Sequence, residues 1–417
     1  MRSSTKIAAL AASLTLITAP TLTGSALAAG PSGPPHPPDT PGVSGSPTVT
    51  EVATGLDNPR LLSRTGGSLY VAEAGVGGTG PCIEGGEGRA CYGPTGAVTR
   101  IDRSGQRRVL TGLPSLAGED GSAATGPSDV AAVGGQYLLS LGLGADPVLR
   151  SDLGPAGRLL GVLATGTFRT HGPRGPAFRS RDGQRGHHGH PGRTRGPDVL
   201  ADLARYEALQ DPDQDGPDSN PTGFALTRDG VVVTDSGGNT LLLVRPGART
   251  RTLAVFPERL FPAPEGFPQI PGVPEGQIPS DAVPTSVVQG PDGALYVSQL
   301  TGFPFPAGGS TIWRVVPGMP PTQYATGLTN VTDLAWHRGS LYAVQLSDVG
   351  LAAEPGLPTG SLRRIDRDGG QTAVASGLPA PYGVALDRGS AYVTTCAVCP
   401  DAGSVVRIDL LPDGRTT

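Results

Sequence analysis

An all-β fold, a six-bladed β-propeller with four-stranded blades and a ring closed by an N-terminal strand, is what this sequence predicts. Three observations predict it. Short apolar β-type runs recur between clusters of Gly and Pro, which number 64 and 43 in 417 residues. A four-part motif repeats six times along the chain. Its most compact copies begin 46 and 50 residues apart, the length of a bare four-stranded blade. Few stretches run long enough without Gly or Pro to show a helical period.

The chain opens with an export signal. Arg2 and Lys6 form a basic start, Ile7 to Thr18 an apolar run too short to span a membrane, and Ala26-Leu27-Ala28 a cleavage motif, so residues 1–28 are expected to be removed and the protein secreted. Residues 29–47, rich in Pro, Gly and Ser, read as a disordered leader, and 411–417 as a tail. The propeller is expected to occupy 48–410, as a monomer without a membrane span. The net charge of −4 excludes a nucleic-acid binder, which should be basic. Lys6 is the only lysine, so Schiff-base chemistry is absent from the mature chain.

Within the repeat, the first element reads Val52-Ala53-Thr54-Gly55-Leu56 and recurs at Val109, Val199, Leu253, Tyr324 and Val374. The second marks the start of an inner strand: Asn58-Pro59-Arg60, Gly126-Pro127-Ser128, Asn220-Pro221-Thr222, Val283-Pro284-Thr285, Asn330-Val331-Thr332 and Ala380-Pro381-Tyr382. The third, typified by Leu69 to Glu73, begins at residues 69, 137, 231, 295, 341 and 391. The fourth is typified by Val98 to Ile101, with a weaker copy at Arg158-Leu159-Leu160 in blade two. The first copy of the first element precedes any complete blade. It should therefore pair with Val405 to Ile408 and close the ring, which removes two exposed sheet edges.

These residues resemble the ScyD/ScyE family of secreted, NHL-repeat-like propellers, over roughly 48–410. The most specific segments are Ala53 to Arg60, Tyr70 to Gly75, Gly80 to Gly96, Leu203 to Pro221, Pro284 to Phe305 and Thr326 to Leu334. The resemblance implies the fold and export, and an association with extracellular products. It implies no catalytic residue.

Two features lie outside the repeat. Residues 166–197 hold seven arginines, the single acid Asp182, and His171, His187, His188 and His190. They read as a disordered basic insert or as a shifted reading frame, with a metal-binding His tract or polyanion patch as the alternative. Four cysteines allow three pairings. Export favours disulfides, as loop clips Cys82–Cys91 and Cys396–Cys399, over a four-thiolate zinc site.

Strand order brings the starts of the inner strands and the ends of the second strands to one face of the channel. The candidate ligand-binding residues there are Asn58, Arg60, Glu73, Asp129, Asn220, Asp235, Asn239, Gln299, Asn330, Asp333 and Gln345. Glu73, Asp129, Asp235 and Asp333 are the candidate ligands for a metal, and their hard oxygens suit Ca²⁺ or Mg²⁺. The competing reading is that these polar groups hydrogen-bond the loops and hold blades together. Asp211-Pro212-Asp213-Gln214-Asp215-Gly216 matches the opening of a calcium loop, but Thr222 stands where an EF-hand needs Glu. A solvated acidic turn is the alternative. Leu200 to Gln210 is the best helix candidate.

Serine-elbow, P-loop and zincin signatures are missing. His337 belongs on the face away from the acids. Phe303-Pro304-Phe305-Pro306 and the segment Phe256 to Pro279 should lie over the channel face. The function expected is that of a binding or scaffold propeller acting on a small molecule, glycan or protein, with no catalytic residue assigned. The alternative is a metal-dependent hydrolase of lactonase or esterase type.

Overall fold

A computed structural model describes residues 47–168 and 196–410, apart from positions 87, 246, 248, 354 and 355. The export signal, nearly all of the leader, most of the 166–197 insert and the tail lie outside the described residues.

Six antiparallel four-stranded blades form a propeller. Blade one comprises Pro59–Thr65, Ser68–Glu73, Gly88–Asp102 and Gly105–Ala117, and Cys82–Gly85 pairs with the start of its long third strand. Blade two comprises Pro127–Val133, Gln136–Leu141, Val162–Thr167 and Asp198–Asp202. Blade three comprises Pro221–Thr227, Gly230–Asp235, Thr240–Arg245 and Arg249–Val255. Blade four comprises Pro284–Gln289, Leu295–Gln299, Ser310–Val315 and Thr322–Leu328. Blade five comprises Val331–His337, Ser340–Gln345, Thr359–Ile365 and Gln371–Pro379. Blade six takes Val384–Asp387, Ser390–Thr395 and Gly403–Asp409, and borrows Val49–Leu56 as its outer strand. Ala53 lies opposite Val405 and Val49 opposite Ile408, so the N-terminal strand pairs with the last strand and closes the ring as predicted.

The core lies between blades, sheet face against sheet face. Each consecutive pair of blades buries its own apolar cluster. Leu163, Phe224, Val233 and Leu242 fill the space between blades two and three, and Val71, Leu62, Val405 and Ala385 that between six and one. The strand pattern dictates this. Second and third strands have both faces covered and read as continuous apolar runs, such as Leu241-Leu242-Leu243-Val244.

The two ends of the channel differ. At one end, inner and second strands are joined by tight turns. Gly66-Gly67 and Gly134-Gly135 have positive φ at both positions, the conformation a two-residue hairpin turn requires. At the other end lie all the long connections that lead into inner strands or out of second strands. This loop face carries the Cys82–Cys91 hairpin, an added hairpin of Arg259–Pro262 with Gln277–Ser280, and a satellite core of Ile83, Leu143, Leu153, Leu160 and Ala204.

Two sequence expectations need correction. The third strand of blade two is Val162–Thr167, not Arg158-Leu159-Leu160. Residues Pro147–Leu159 form 3-10 turns, started by the Asp146 side chain accepting from Val148 N and by Pro at the first position. Leu160 faces the satellite core instead. The helix begins at Leu203, not Leu200. Asp198–Asp202 is the outer strand, and the Asp202 carboxylate caps the helix by accepting from Arg205 N.

Candidate functional site

At the loop end of the channel, hydroxyls on one blade reach carbonyls on the next. Ser140 Oγ donates to Thr222 O and Ser236 Oγ to Pro284 O at 2.6 Å. Thr285 Oγ1 donates to Val331 O at 2.9 Å, Thr332 Oγ1 to Tyr382 O at 2.6 Å and Thr394 Oγ1 to Arg60 O at 2.9 Å. At the junction of blades one and two, Arg60 donates to Ala124 O at 2.6 Å, and its guanidinium lies 5.0 Å from the ring centre of Tyr382. Much of the polar ring is thus a seam that fastens the blades.

The ends of the second strands do related work. Glu73 Oε2 accepts from Asp57 N at 2.9 Å, Asp235 Oδ1 from Asn220 N at 2.6 Å and Gln345 Oε1 from Thr329 N at 2.9 Å. In blades one, three and five this satisfies the backbone just before an inner strand. Asn58, Asn239 and Asn330 adopt left-handed conformations, with φ of 49°, 50° and 43°, which Asn tolerates better than most residues. Asn58 donates to Gly75 O and Gly121 O, and Asn330 donates to Leu300 O. Gln299 accepts from Trp313 Nε1 at 2.8 Å.

The four candidate metal ligands do not converge. Buried Glu73 is taken up by Arg108, whose guanidinium lies 2.7 Å from Oε2 and 2.8 Å from Asp57 Oδ2. Thr99 Oγ1 donates to the other Glu73 oxygen. Asp235 accepts from Asn220 N and Ser219 Oγ, and burial raises its pKa to about 6.

Asp129 and Asp333 do face a common space. Aligning the six inner strands places Leu61, Asp129, Gly223, Ser286, Asp333 and Gly383 at one level of the channel. The acid–glycine pair recurs after three blades, with Ser286 in the place of Leu61, so the two acids stand on opposite sides of the ring. Each acid accepts from its own following residue and from the next blade: Asp129 from Val130 N and Phe224 N, Asp333 from Leu334 N and Val384 N. Ser286 Oγ adds a 2.6 Å bond to Asp333. Burial raises both pKa values to about 7, against the pull of these donors, and for Asp333 the charge of Asp129 adds to the rise. The next blade carries Gly at this level because a Cβ would strike its neighbour. On Gly223 it would lie 2.8 Å from Ser286 Cα, and on Gly383 2.8 Å from Leu61 Cα. A cavity of about 360 Å³ is lined by Asp129, Asp333, Leu61, Phe224, Ser286 and Trp336, among others. Its lining comes from the middle and far ends of the inner strands, so it extends from the acids toward the tight-turn end.

On the loop face, a second acidic group surrounds the helix Leu203–Gln210. Glu207, Asp211 and Asp213 each offer a carboxylate oxygen within 4.8 Å of the others; among the described residues no other group of three acids, histidines or cysteines meets that distance. Asp213 and Asp281 both receive Asn239 Nδ2, which connects the group to one sequence-predicted residue. Glu207 is wholly buried, and neither of its oxygens has a hydrogen-bond partner. Burial, then the charges of Asp235, Asp213, Asp211 and Asp218, push its pKa up to about 9. The motif at 211–216 marked the loop in the sequence. Nothing singled out Glu207 until the helix turned it inward.

A third feature of the loop face is aromatic. Phe267 and Phe303 rings lie 5.8 Å apart, and Phe303 meets Phe305 edge-on at 6.1 Å. The Arg259 guanidinium covers Phe261 at 5.0 Å, and Arg259 donates to Gly309 O. All four rings are half-buried. Both expected disulfides, Cys82–Cys91 and Cys396–Cys399, are formed, with no free cysteine among the described residues. No described helix is long and apolar enough to cross a membrane.

The strand pairing defines the class: a six-bladed β-propeller. No family model matches the chain, and no curated protein matches it either. Solved structures similar to it include virginiamycin B lyase from Staphylococcus aureus, with 10% identity, 88% of this chain and 100% of that chain covered, and a TM-score of 0.43. A gluconolactonase from Xanthomonas campestris shares 12% identity over 88% of this chain and 90% of its own, with a TM-score of 0.48. A Bacteroides thetaiotaomicron protein of unknown function shares 9% over 87% and 76%, with a TM-score of 0.48. At these identities the fold rests on the strand pairing above, and no chemistry transfers from those proteins.

Proposed function

We propose that the chain is a secreted binding or scaffold propeller of the ScyD/ScyE type, which takes up a small molecule, glycan or protein on its loop face. One observation carries this reading. The polar residues of the channel are engaged with the protein's own loops and blades, whereas the loop face presents the half-buried rings of Phe261, Phe267, Phe303 and Phe305. Partly exposed apolar surface on loops held by a rigid scaffold is where recognition concentrates. Flat rings suit the apolar face of a sugar, or a prolyl or aryl group.

A metal-dependent lactonase or esterase is the second reading, because Asp129 and Asp333 face one cavity. It would need both carboxylates to exchange backbone N–H donors for Ca²⁺ or Mg²⁺. The two readings separate experimentally. Mature protein and a Phe267→Ala/Phe303→Ala variant are immobilised and exposed to culture fluid and to a glycan panel. Retention of the same species by both proteins would overturn the loop-face reading. Lactone or ester turnover lost on Asp333→Asn, with the variant still folded, would replace it with the hydrolase.

A further inference from the structure

Glu207 poses a chemical problem that the fold alone does not solve. A carboxylate removed from water needs hydrogen bonds, a counter-charge or a proton. Glu207 is 0% exposed, and both its oxygens lack a hydrogen-bond donor. The charges acting on it come from Asp235, Asp213, Asp211 and Asp218, all acids. Its carboxylate lies against the loop after the second strand of blade three, where a Cβ on Gly238 would come within 2.5 Å of Oε2. The backbone has therefore left room for this carboxylate.

The neighbouring loop is built to present oxygens. Asp211 caps the helix in a left-handed conformation, and its Oδ1 accepts from Gly216 N at 3.1 Å. Asp213 Oδ1 accepts from Asp215 N at 3.2 Å, and its Oδ2 accepts from Asn239. These bonds fold Asp211 to Gly216 into a turn whose carboxylates meet Glu207. Two oxygens bound to one Ca²⁺ at about 2.4 Å lie no more than about 4.8 Å apart. The ligand atoms of Glu207, Asp211 and Asp213 meet that limit pairwise.

We infer that Glu207, Asp211 and Asp213 bind a Ca²⁺ ion that fastens the 203–220 connector to blade three. The acid an EF-hand takes from position 12 of its loop comes here from the helix four residues before the loop. Thr222, at position 12, belongs to the interblade seam instead. An all-oxygen, carboxylate-rich set assembled from a flexible turn suits Ca²⁺; Zn²⁺ would call for nitrogen or sulfur, and Mg²⁺ for a tighter octahedron that keeps its waters. The ion would act on the scaffold, on one side of the loop face, and the inference stands whether or not that face binds as proposed above.

The test uses the secreted mature chain stripped with EGTA. Ca²⁺ is titrated calorimetrically, and thermal melts are recorded in EGTA, Ca²⁺ and Mg²⁺. The expected result is saturable binding of Ca²⁺ with a raised Tm, and a smaller gain in Mg²⁺. Glu207→Gln should remove the Ca²⁺-dependent gain while its melt in EGTA matches that of the parent chain. Should Glu207→Gln fail to fold, Asp211→Asn, at the half-buried rim, should weaken Ca²⁺ binding about tenfold or more. An unchanged Tm in millimolar Ca²⁺, or an undiminished Ca²⁺ response in a folded variant, would overturn the site. An equal gain in Mg²⁺ would overturn the assignment to calcium.

Discussion

Half-buried Asp129 and buried Asp333 in the channel and buried Glu207 on the loop face are all acids, yet their surroundings are opposite. Each oxygen of Asp129 and of Asp333 accepts at least one donor, and the donors come from two or more strands. Glu207 has none and is ringed by other acids. Burial alone therefore says little about what an acid does. The supply of donors separates an acid that fastens the fold from one that calls for a cation.

That contrast fails or sharpens at defined positions. The largest loss is expected at Arg108, which partners the buried Glu73. Arg108→Met leaves that carboxylate without its counter-charge and should cost roughly 2–4 kcal/mol, toward the low side because the guanidinium is partly exposed. The check is the urea midpoint. No change would mean that the salt bridge adds nothing to the stability of the blade.

Asp333→Asn should cost about 1–3 kcal/mol near neutral pH, because an amide N–H₂ would confront either Val384 N–H or the Leu334 and Ser286 donors. Glu207→Gln in EGTA should cost far less, and equal losses would erase the contrast. The same variant carries a pH signature. The folded-state pKa of Asp333, about 7, lies above its usual 3.8, so the folded chain holds the proton more tightly. The contribution is at its best below pH 4 and is lost as pH rises through about 7. In EGTA, the parent Tm should therefore fall more than the Asp333→Asn Tm between pH 5 and 8. Parallel curves would show that Asp333 titrates normally.

The smallest effect is expected in the seam. Thr332→Val removes one hydroxyl donor to Tyr382 O and should cost about 0.5–1.5 kcal/mol, read by the same urea midpoint. A larger loss would mean that the hydroxyl seam acts as a unit.

How far the sequence reaches follows from the range of each interaction. The blades and both disulfides were legible because each rests on a local pattern, an apolar run, a turn, or cysteines close in the chain, and the closing strand was legible from the order of the repeats. Blade two was legible only in part. Leu159-Leu160 looks like strand, but Asp146 and Pro147 start a 3-10 segment before it and Gly161, at φ 68°, turns the chain after it. Arg108 was not legible, since Arg107 and Arg103 stand nearby with nothing to mark which one meets Glu73. The polar ring was read as one set of residues. It divides into a seam, loop clasps and two channel acids only when hydrogen-bond partners are known, and those lie as far as 95 residues away for Asp129 and Phe224 and 334 for Thr394 and Arg60.

The alternation at the acid level of the channel has a consequence for how the ring knows its size. Leu61, Asp129 and Gly223 are followed by Ser286, Asp333 and Gly383, so an acid followed by a glycine recurs every third blade. Each acid needs a glycine blade after it, and each glycine needs a neighbour whose backbone comes close. A circle of five or seven blades cannot keep that three-blade spacing all the way round. Blade number, usually credited to the wedge shape of the sheets, is here matched by the spacing of acids and glycines in the lining of the channel.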